Sequence, residues 1–547
     1  MRRIAWAPSR SAAAWSAFVA LVVFVSFGAG GLAPSDRLVA SFEDDAYFYF
    51  QIARNVAHGH GFTFDGVHAT NGFQPLWLFV LVPVFRLVQG DLEGLWAVVA
   101  IQNALLAAST VLVFRTLRAR IGTAGALAAA LCLVAPPMAT RTLRGGMESA
   151  LLVLWLVLIW RGCLELDGKA GGGFAPRSSV RRWLVLGALC ALAFLTRLEA
   201  LVALPALLWL QRRHLSGRAA RLALTTPAAA SAIAYLAWNR QHFGLWLPIS
   251  GTVKLAIANG SLLERLACVG NIPWPGGVLF GHLAGGAPAS KGHPVRLVVY
   301  VLLLSTLAVA VRRYWPRLAP SVRASGLALP MLVGLAMLIL DAAGICEVSG
   351  WHAAPILFID AIAAGALVHA LSAIRWVGPA AASLATAIAL ARLPAESARM
   401  KSLSETWEGE TLAAARWLHA TMGADDAAGS LTRSGELAYF AHRRVINLDG
   451  LVNDAEFFRV AYEEHTLDAY LQRERVRWVV EEWPGTEPWR EWPYDVSASL
   501  GARGYVDIAE TVPEGIRPCA QESTGGCAPA MGIWAVRGVS GVTGDPR

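Results

Sequence analysis

Apolar residues run in long blocks along the first two thirds of the chain, separated by short arginine-rich connections. The stretches 151–160, 184–194, 298–311 and 327–340 carry almost no charge. A helix that crosses a bilayer needs about 20 mostly apolar residues. Blocks of that kind recur at 12–32, 95–114, 121–138, 148–164, 183–196, 199–211, 222–239, 297–311, 324–341, 353–373 and 377–393. The pattern predicts a polytopic α-helical membrane protein of about 11 spans, in which 183–196 and 199–211 are short for two separate crossings. The apolar run 75–85 is shorter still and predicts a helix lying in the interface or dipping into the membrane.

The long apolar blocks stop near residue 394. Beyond it, 405–422 has helical periodicity, with Leu412, Ala415, Trp417 and Leu418 among its apolar positions. Residues 445–448 form a short apolar run closed by Asp449-Gly450, a turn signal. Residues 467–475 read as helix, 476–480 as strand and 532–536 as a last strand. The chain therefore divides into a membrane region, 1–394, with a long first outer loop at 33–94, and a separate, water-exposed α/β domain at 395–547.

Composition excludes a soluble or disordered chain: 55% of residues are hydrophobic and only 16% charged, against roughly 25% charged in ordinary soluble domains. The net charge of +8 is unevenly spread. The membrane region is basic and the tail acidic, so the basic charge reads as loop charge that sets orientation, and nucleic acid is a poor explanation for it. Arg2, Arg3 and Arg10 precede the first block, which predicts an uncleaved first span with the N-terminus inside. If 75–85 does not span, the basic clusters around 115–120, 169–182, 212–221 and 312–323 and Arg375 all fall inside, and the first loop and the tail fall outside. Cys519 and Cys527 lie eight apart in that tail and are either a disulfide or two free thiols. No His, Cys or Asp cluster has metal-ligand spacing, although Glu43, Asp44 and Asp45 could touch a divalent cation.

Candidate chemistry gathers at the outer ends of the spans. Glu43, Asp44 and Asp45 open an amphipathic helix in which Gln51, Arg54, Asn55 and His58 form one polar stripe, ended by Gly59 and Gly61. Asp44 shares that stripe, whereas Asp45 lies about 100° further round. A carboxylate at a membrane surface has a raised proton affinity and can deprotonate a hydroxyl; equally, acids at a helix start are favoured by the helix dipole. Arg144 and Glu148 flank one span, Arg197 and Glu199 the join of two, and Lys254 follows a third. Asp341, Glu347, Trp351 and His352 lie around a later outer connection. Each alone could be a structural ion pair. Together they suit an anionic, lipid-linked ligand.

These residues also carry a family resemblance. Asp44-Asp-Ala-Tyr-Phe-Tyr-Phe-Gln-Ile-Ala-Arg-Asn, His60-Gly-Phe-Thr-Phe and Thr70-Asn-Gly-Phe-Gln-Pro-Leu-Trp resemble the first outer loop of superfamily C (GT-C) glycosyltransferases. The nearest pattern is that of bacterial terminal arabinofuranosyltransferases, with protein mannosyltransferases in the same wider group. Gly145-Gly-Met-Glu-Ser resembles a Gly-Leu-Glu-Thr motif of that group. Thr196-Arg-Leu-Glu resembles its Arg-Pro-Glu motif, with Leu198 in place of Pro. Residues 247–254 resemble its Leu-Pro-Asn-Thr-x-x-x-Lys element, with Ile249-Ser250 in place of Asn-Thr. Val445-Ile-Asn-Leu-Asp-Gly-Leu-Val-Asn-Asp resembles an element of its outer domain.

The resemblance implies a GT-C fold with surface or re-entrant helices in the first outer loop. It also implies transfer of a sugar, with inversion, from a polyprenyl-phosphate donor to a glycan, lipid or protein acceptor, in a bacterial plasma membrane with the C-terminus extracytoplasmic. An acid of the first loop acts as base: Asp44 by the stripe argument, Asp45 otherwise. Arg197, Lys254 and His352 are the expected holders of the donor phosphate. Tyr47, Arg54, Asn71, Gln74, Arg144, Glu148, Glu199 and Trp351 are the expected substrate contacts. A transporter or flippase for a lipid-linked or anionic solute would also want cations and acids in a membrane cavity, but it predicts mid-span charges and an internal repeat, and the charges lie at span ends with no repeat. A non-catalytic assembly protein would leave the acid run and Lys254 without a purpose.

Overall fold

The computed structural model describes residues 38–134, 137–167, 180–215, 217–257, 316, 318–345, 350–372, 407–483 and 530–535. The expected spans at 12–32, 297–311 and 377–393, Glu347 and the Cys519/Cys527 pair lie outside the described residues.

Helix α1, Asp44–Ala57, starts at the acid run after the extended residue Glu43. It stops where Gly59 and Gly61 take positive φ. The chain turns back through a Thr63–Ala69 bridge into α2, Pro75–Leu87. Thirteen residues make a rod of about 20 Å, short of a hydrocarbon core of about 30 Å. One face of α2 buries Trp77, Leu78, Leu81 and Phe85, while Phe79 and Leu87 point outward at 52% and 81% exposure. The helix is short and keeps an apolar outer face.

The next element, α3, Asp91–Val134, has 44 residues and would reach about 66 Å if straight. It breaks at Gly122, whose φ of 75° and ψ of 176° are not helical, just past Arg115, Arg118 and Arg120. The expected span at 95–114 lies in its first arm, and the expected span at 121–138 covers the second arm, which ends at Val134, and reaches the start of the next helix. There follow α4, Pro137–Arg144, α5, Ser149–Asp167, and α6, Val180–Thr196. A 3₁₀ turn, Leu198–Val202, leads into α7, Ala203–Leu210. Beyond these lie α8, Arg218–Phe243, α9, Ile249–Ile257, and α10, Ala328–Ile345. A second 3₁₀ turn, Gly350–Ala353, leads into α11, Ala354–Leu371. Among the described residues three helices are long and apolar enough to cross a membrane, or four if the bent pair Leu318–Ser325 and Ala328–Asp341 counts as one. The α3–α11 seam is tight: a Cβ on Gly125 or Gly365 would stand 2.8 Å from the other's carbonyl oxygen, the small-residue packing typical of membrane helices.

The tail contains α12, Trp407–Thr421, β1, Ala427–Ser430, α13, Ser434–Ala441, and β2, Arg444–Asn447. It continues with α14, Ala455–Phe458, α15, Leu467–Arg473, β3, Val476–Trp483, and β4, Ala530–Ala535. The sheet order is β2-β1-β3-β4. Strand β1 runs parallel to both neighbours, and β4 is antiparallel to β3. The tail does not stand apart from the membrane region. Phe42, Tyr47, Phe50 and Trp77 from the first loop share one hydrophobic core with Leu412, Leu418, Leu437 and Tyr439 from the tail.

Candidate functional site

The first turn of α1 meets the first turn of α13. The Asp44 carboxylate accepts the backbone N–H of Glu436 at 2.8 Å and of Gly435 at 3.2 Å. A carboxylate at a helix N-terminus satisfies N–H groups that have no partner within the helix. Burial nonetheless pushes Asp44 up to about 7, against the pull of Arg433 and these two hydrogen bonds. Asp449, 7% exposed, is pushed up to about 8 by its burial, with the Asp45 and Asp44 charges adding to the effect. The three acids therefore lie within reach of one another's fields where loop and tail meet.

The polar stripe of α1 is real, and Arg54 and Asn55 within it face protein, while His58 is exposed. Asn55 donates to the carbonyls of Thr63 and Phe64 at 2.9 and 3.0 Å. Arg54 donates to the Tyr439 carbonyl at 2.8 Å and to Asp91 at 2.7 Å, and its guanidinium lies 3.9 Å over the Tyr439 ring. Tyr47 is fully buried and donates to the Val39 carbonyl at 3.1 Å. Tyr47 and Arg54, expected to touch substrate, thus hold the loop to itself and to the tail. Asn71 is a clamp too: its amide donates to the Leu247 carbonyl at 3.2 Å and accepts the Ile249 N–H at 2.9 Å. Gln74 donates its backbone N–H to the Tyr49 hydroxyl at 3.1 Å.

The second half of the site is an ion cluster built from three chain breaks. Gly146, at φ +84°, has no room for a Cβ, which would stand 2.5 Å from that of Ala46. Gln102 grips this turn, donating to the Met147 carbonyl at 2.8 Å and accepting the Gly146 N–H at 3.3 Å. Trp77 donates to the Gly146 carbonyl at 2.9 Å. The turn delivers Glu148, 2% exposed, and buried Arg144 precedes it. Arg197 stands in extended backbone between α6 and the 3₁₀ turn and is 4% exposed. Its guanidinium lies 2.6 Å from Glu199, 3.5 Å from Glu148 and 3.9 Å from Asp341. It also donates to the Trp351 carbonyl at 3.4 Å. The turn that carries Trp351 and buried His352 is pinned by Thr142 to Gly350, at 2.8 Å, and by Ser149 to Trp351, at 3.1 Å.

Lys254, half-buried on α9, acts electrostatically on Asp341 and makes no ion pair among the described residues. Tyr49 connects the two halves. It lies one turn beyond Asp45 on the same face of α1, and burial together with the adjacent Glu148 pushes its hydroxyl well above its ordinary range. Arg197, Lys254 and His352 thus sit around one cluster, but Arg197 is already committed to three carboxylates. No group of three or more His, Cys, Asp or Glu side chains is arranged to hold a metal ion among the described residues. Sequence reasoning passed over Gln102, a lone amide in the apolar block 95–114, and Tyr49, hidden among the aromatics of α1.

The chain carries the fold of the GT-C membrane glycosyltransferases, so the resemblance read from its motifs holds at the level of the fold. Residues 74–245 match the family described as dolichyl-phosphate-mannose-protein mannosyltransferase, and residues 400–521 match a family described as a domain of unknown function. The structure is similar to that of ArnT from Cupriavidus metallidurans in the apo state, with a TM-score of 0.55 and 12% identity over 96% of this chain and 98% of that one. It is similar to the same protein bound to undecaprenyl phosphate, with a TM-score of 0.53 and 13% identity over 97% of this chain and 99% of that one. No curated protein matches the chain by sequence.

Proposed function

We propose that this protein is an inverting glycosyltransferase that moves a sugar from a polyprenyl-phosphate donor to a glycan, lipid or protein acceptor. We place it in a bacterial plasma membrane, with about 11 spans, its C-terminus and the 395–547 domain on the extracytoplasmic side. The observation that carries the reading is Tyr49 of α1, one turn from Asp45, set against the Glu148–Arg197 cluster, with Lys254 at its edge, in a GT-C fold. The structure of ArnT with undecaprenyl phosphate supports a lipid phosphate as the ligand of this fold.

In this reading Asp45 is the base. Both oxygens of Asp44 are taken by tail N–H groups, and Asp45, the next acid, lies one helical turn from Tyr49, whose hydroxyl is set against Glu148. Asp45 removes the acceptor hydroxyl proton, the acceptor oxygen attacks the anomeric carbon from the face opposite the phosphate, and the bond from that carbon to the phosphate oxygen breaks. Lys254 meets the charge that grows on the departing phosphate, and His352 and Trp351 line the same side. Arg197 orders Glu148, Glu199 and Asp341 rather than binding phosphate directly. Transfer of radiolabelled sugar from polyprenyl phosphate by the purified protein tests the reading. Asp45→Asn should abolish transfer while leaving donor binding intact, and wild-type turnover in that variant would remove Asp45 as the base.

A further inference from the structure

We infer that helix α13 of the tail is a splint that sets the position of the catalytic turn, with Asp44 and Gly435 as its positioning residues. This rests on the reading of Asp45 as base. The two ends of α1 are tied to the two ends of α13. At one end Asp44 takes the N–H groups of Gly435 and Glu436. At the other, Arg54 donates to the Tyr439 carbonyl at 2.8 Å and pairs with Asp91, and His442, just past α13, pairs with the same Asp91 at 2.9 Å. Two fixed points some ten residues apart hold a helix in rotation as well as in translation. Rotation is the coordinate that matters, because neighbouring side chains on a helix differ by about 100°: fixing Asp44 toward the tail fixes the direction in which Asp45, and Tyr49 one turn on, can face.

The contact leaves no slack. A Cβ on Gly435 would stand 2.4 Å from the Asp44 carbonyl oxygen, 3.0 Å from the Phe48 ring and 3.1 Å from the Asp44 carboxylate. The splint is itself anchored. Asn447 donates to Ser434 at 2.7 Å, at the first residue of α13. Asn447 also accepts the Val452 N–H at 3.3 Å, and its carbonyl accepts from Asn453 at 2.9 Å. The Asn-Leu-Asp-Gly-Leu-Val-Asn element thereby braces the start of α13.

The test compares Asp44→Asn, Asp44→Ala, Gly435→Ala and Asp45→Asn for kcat, donor KM and the pH–rate profile, with thermal melting to confirm folding. A misplacement of about 1 Å can cost about a hundredfold in rate. Gly435→Ala and Asp44→Ala should therefore lose about a hundredfold in kcat with donor KM unchanged. Asp44→Asn keeps an acceptor oxygen for α13, so it should recover most of that loss and retain the acidic limb of the pH profile. Wild-type kcat in folded Gly435→Ala would overturn the splint. Asp44→Asn as inactive as Asp44→Ala, with the acidic limb gone, would make Asp44 the base and also overturn it. Wild-type turnover in Asp45→Asn would instead strike the base assignment, whatever the tail variants do.

Discussion

Gly72 is pressed against the backbone of Leu451: a Cβ at position 72 would stand 2.1 Å from the Leu451 carbonyl oxygen and 2.9 Å from the Val452 α-carbon. The Thr-Asn-Gly-Phe-Gln segment of the first loop and the Asn-Leu-Asp-Gly-Leu-Val-Asn segment of the tail, separate in sequence, are two sides of one contact. Gly72→Ala must push them apart. It should raise hydrogen exchange at 447–453 and at 70–74 together, while exchange in α5 and α11 stays as in the wild type.

Lys254→Ala should weaken the donor specifically. A hydrogen bond to a charged group is worth about 1.5–3 kcal/mol, so donor affinity should drop roughly ten- to a hundredfold with little change in melting temperature. Titration of the variant with a polyprenyl-phosphate sugar measures this. Unchanged affinity would take Lys254 out of the phosphate site.

Arg197 should behave in the opposite way. Removing it strands Glu148, Glu199 and Asp341 in a buried site, and breaking a buried ion pair costs about 3–5 kcal/mol. Arg197→Met should therefore lower the melting temperature markedly. Lysine at this position should restore little, because one ammonium cannot reproduce the guanidinium fork that reaches several acceptors. A folded, stable Arg197→Met protein with only its donor affinity reduced would return Arg197 to the phosphate.

Stability should fall as pH rises from about 4 to about 8. Asp44 and Asp449 hold their protons in the folded state up to about 7 and about 8, whereas the unfolded chain releases them near 4. The folded state binds more protons over that window, so raising pH favours unfolding. His68 adds to the trend: hydrogen bonding to Asp65 raises it, so its stabilisation is present below about 6.5 and is lost as pH passes its folded value. Melting in detergent at pH 5.5 and 8.5 checks the slope, and Asp449→Asn should flatten it.

Much of this was legible before the fold was known. The acid run and the two glycines bracket α1, and the tail strands at β2 and β3 show as short apolar runs. Strand β1 was not legible. Its Ala-Ala-Gly-Ser has no β-branched or aromatic residue and becomes a strand because two parallel neighbours pair with it. The stripe on α1 gave the periodicity but not the neighbours of Arg54 and Asn55. Periodicity shows which side chains share a face, and the tail that covers this face lies nearly four hundred residues away. The Arg197 cluster was half visible: Glu148 and Glu199 stand in its motifs, but Asp341 comes from a distant helix, and only the fold shows that Arg197 is already neutralised.

The contact between Asp44 and Gly435 also imposes an arithmetic rule on the chain between them. Two segments that touch in water lie on the same side of a bilayer, so the polypeptide joining them crosses that bilayer an even number of times. The apolar blocks from 95–114 to 377–393 number ten and obey the rule only while α2 stays out of the count. If all ten cross, parity keeps the thirteen-residue α2 out of the count, as its length also does. Any one of the ten that proved not to cross would need a second to fail with it, or α2 to cross in its place.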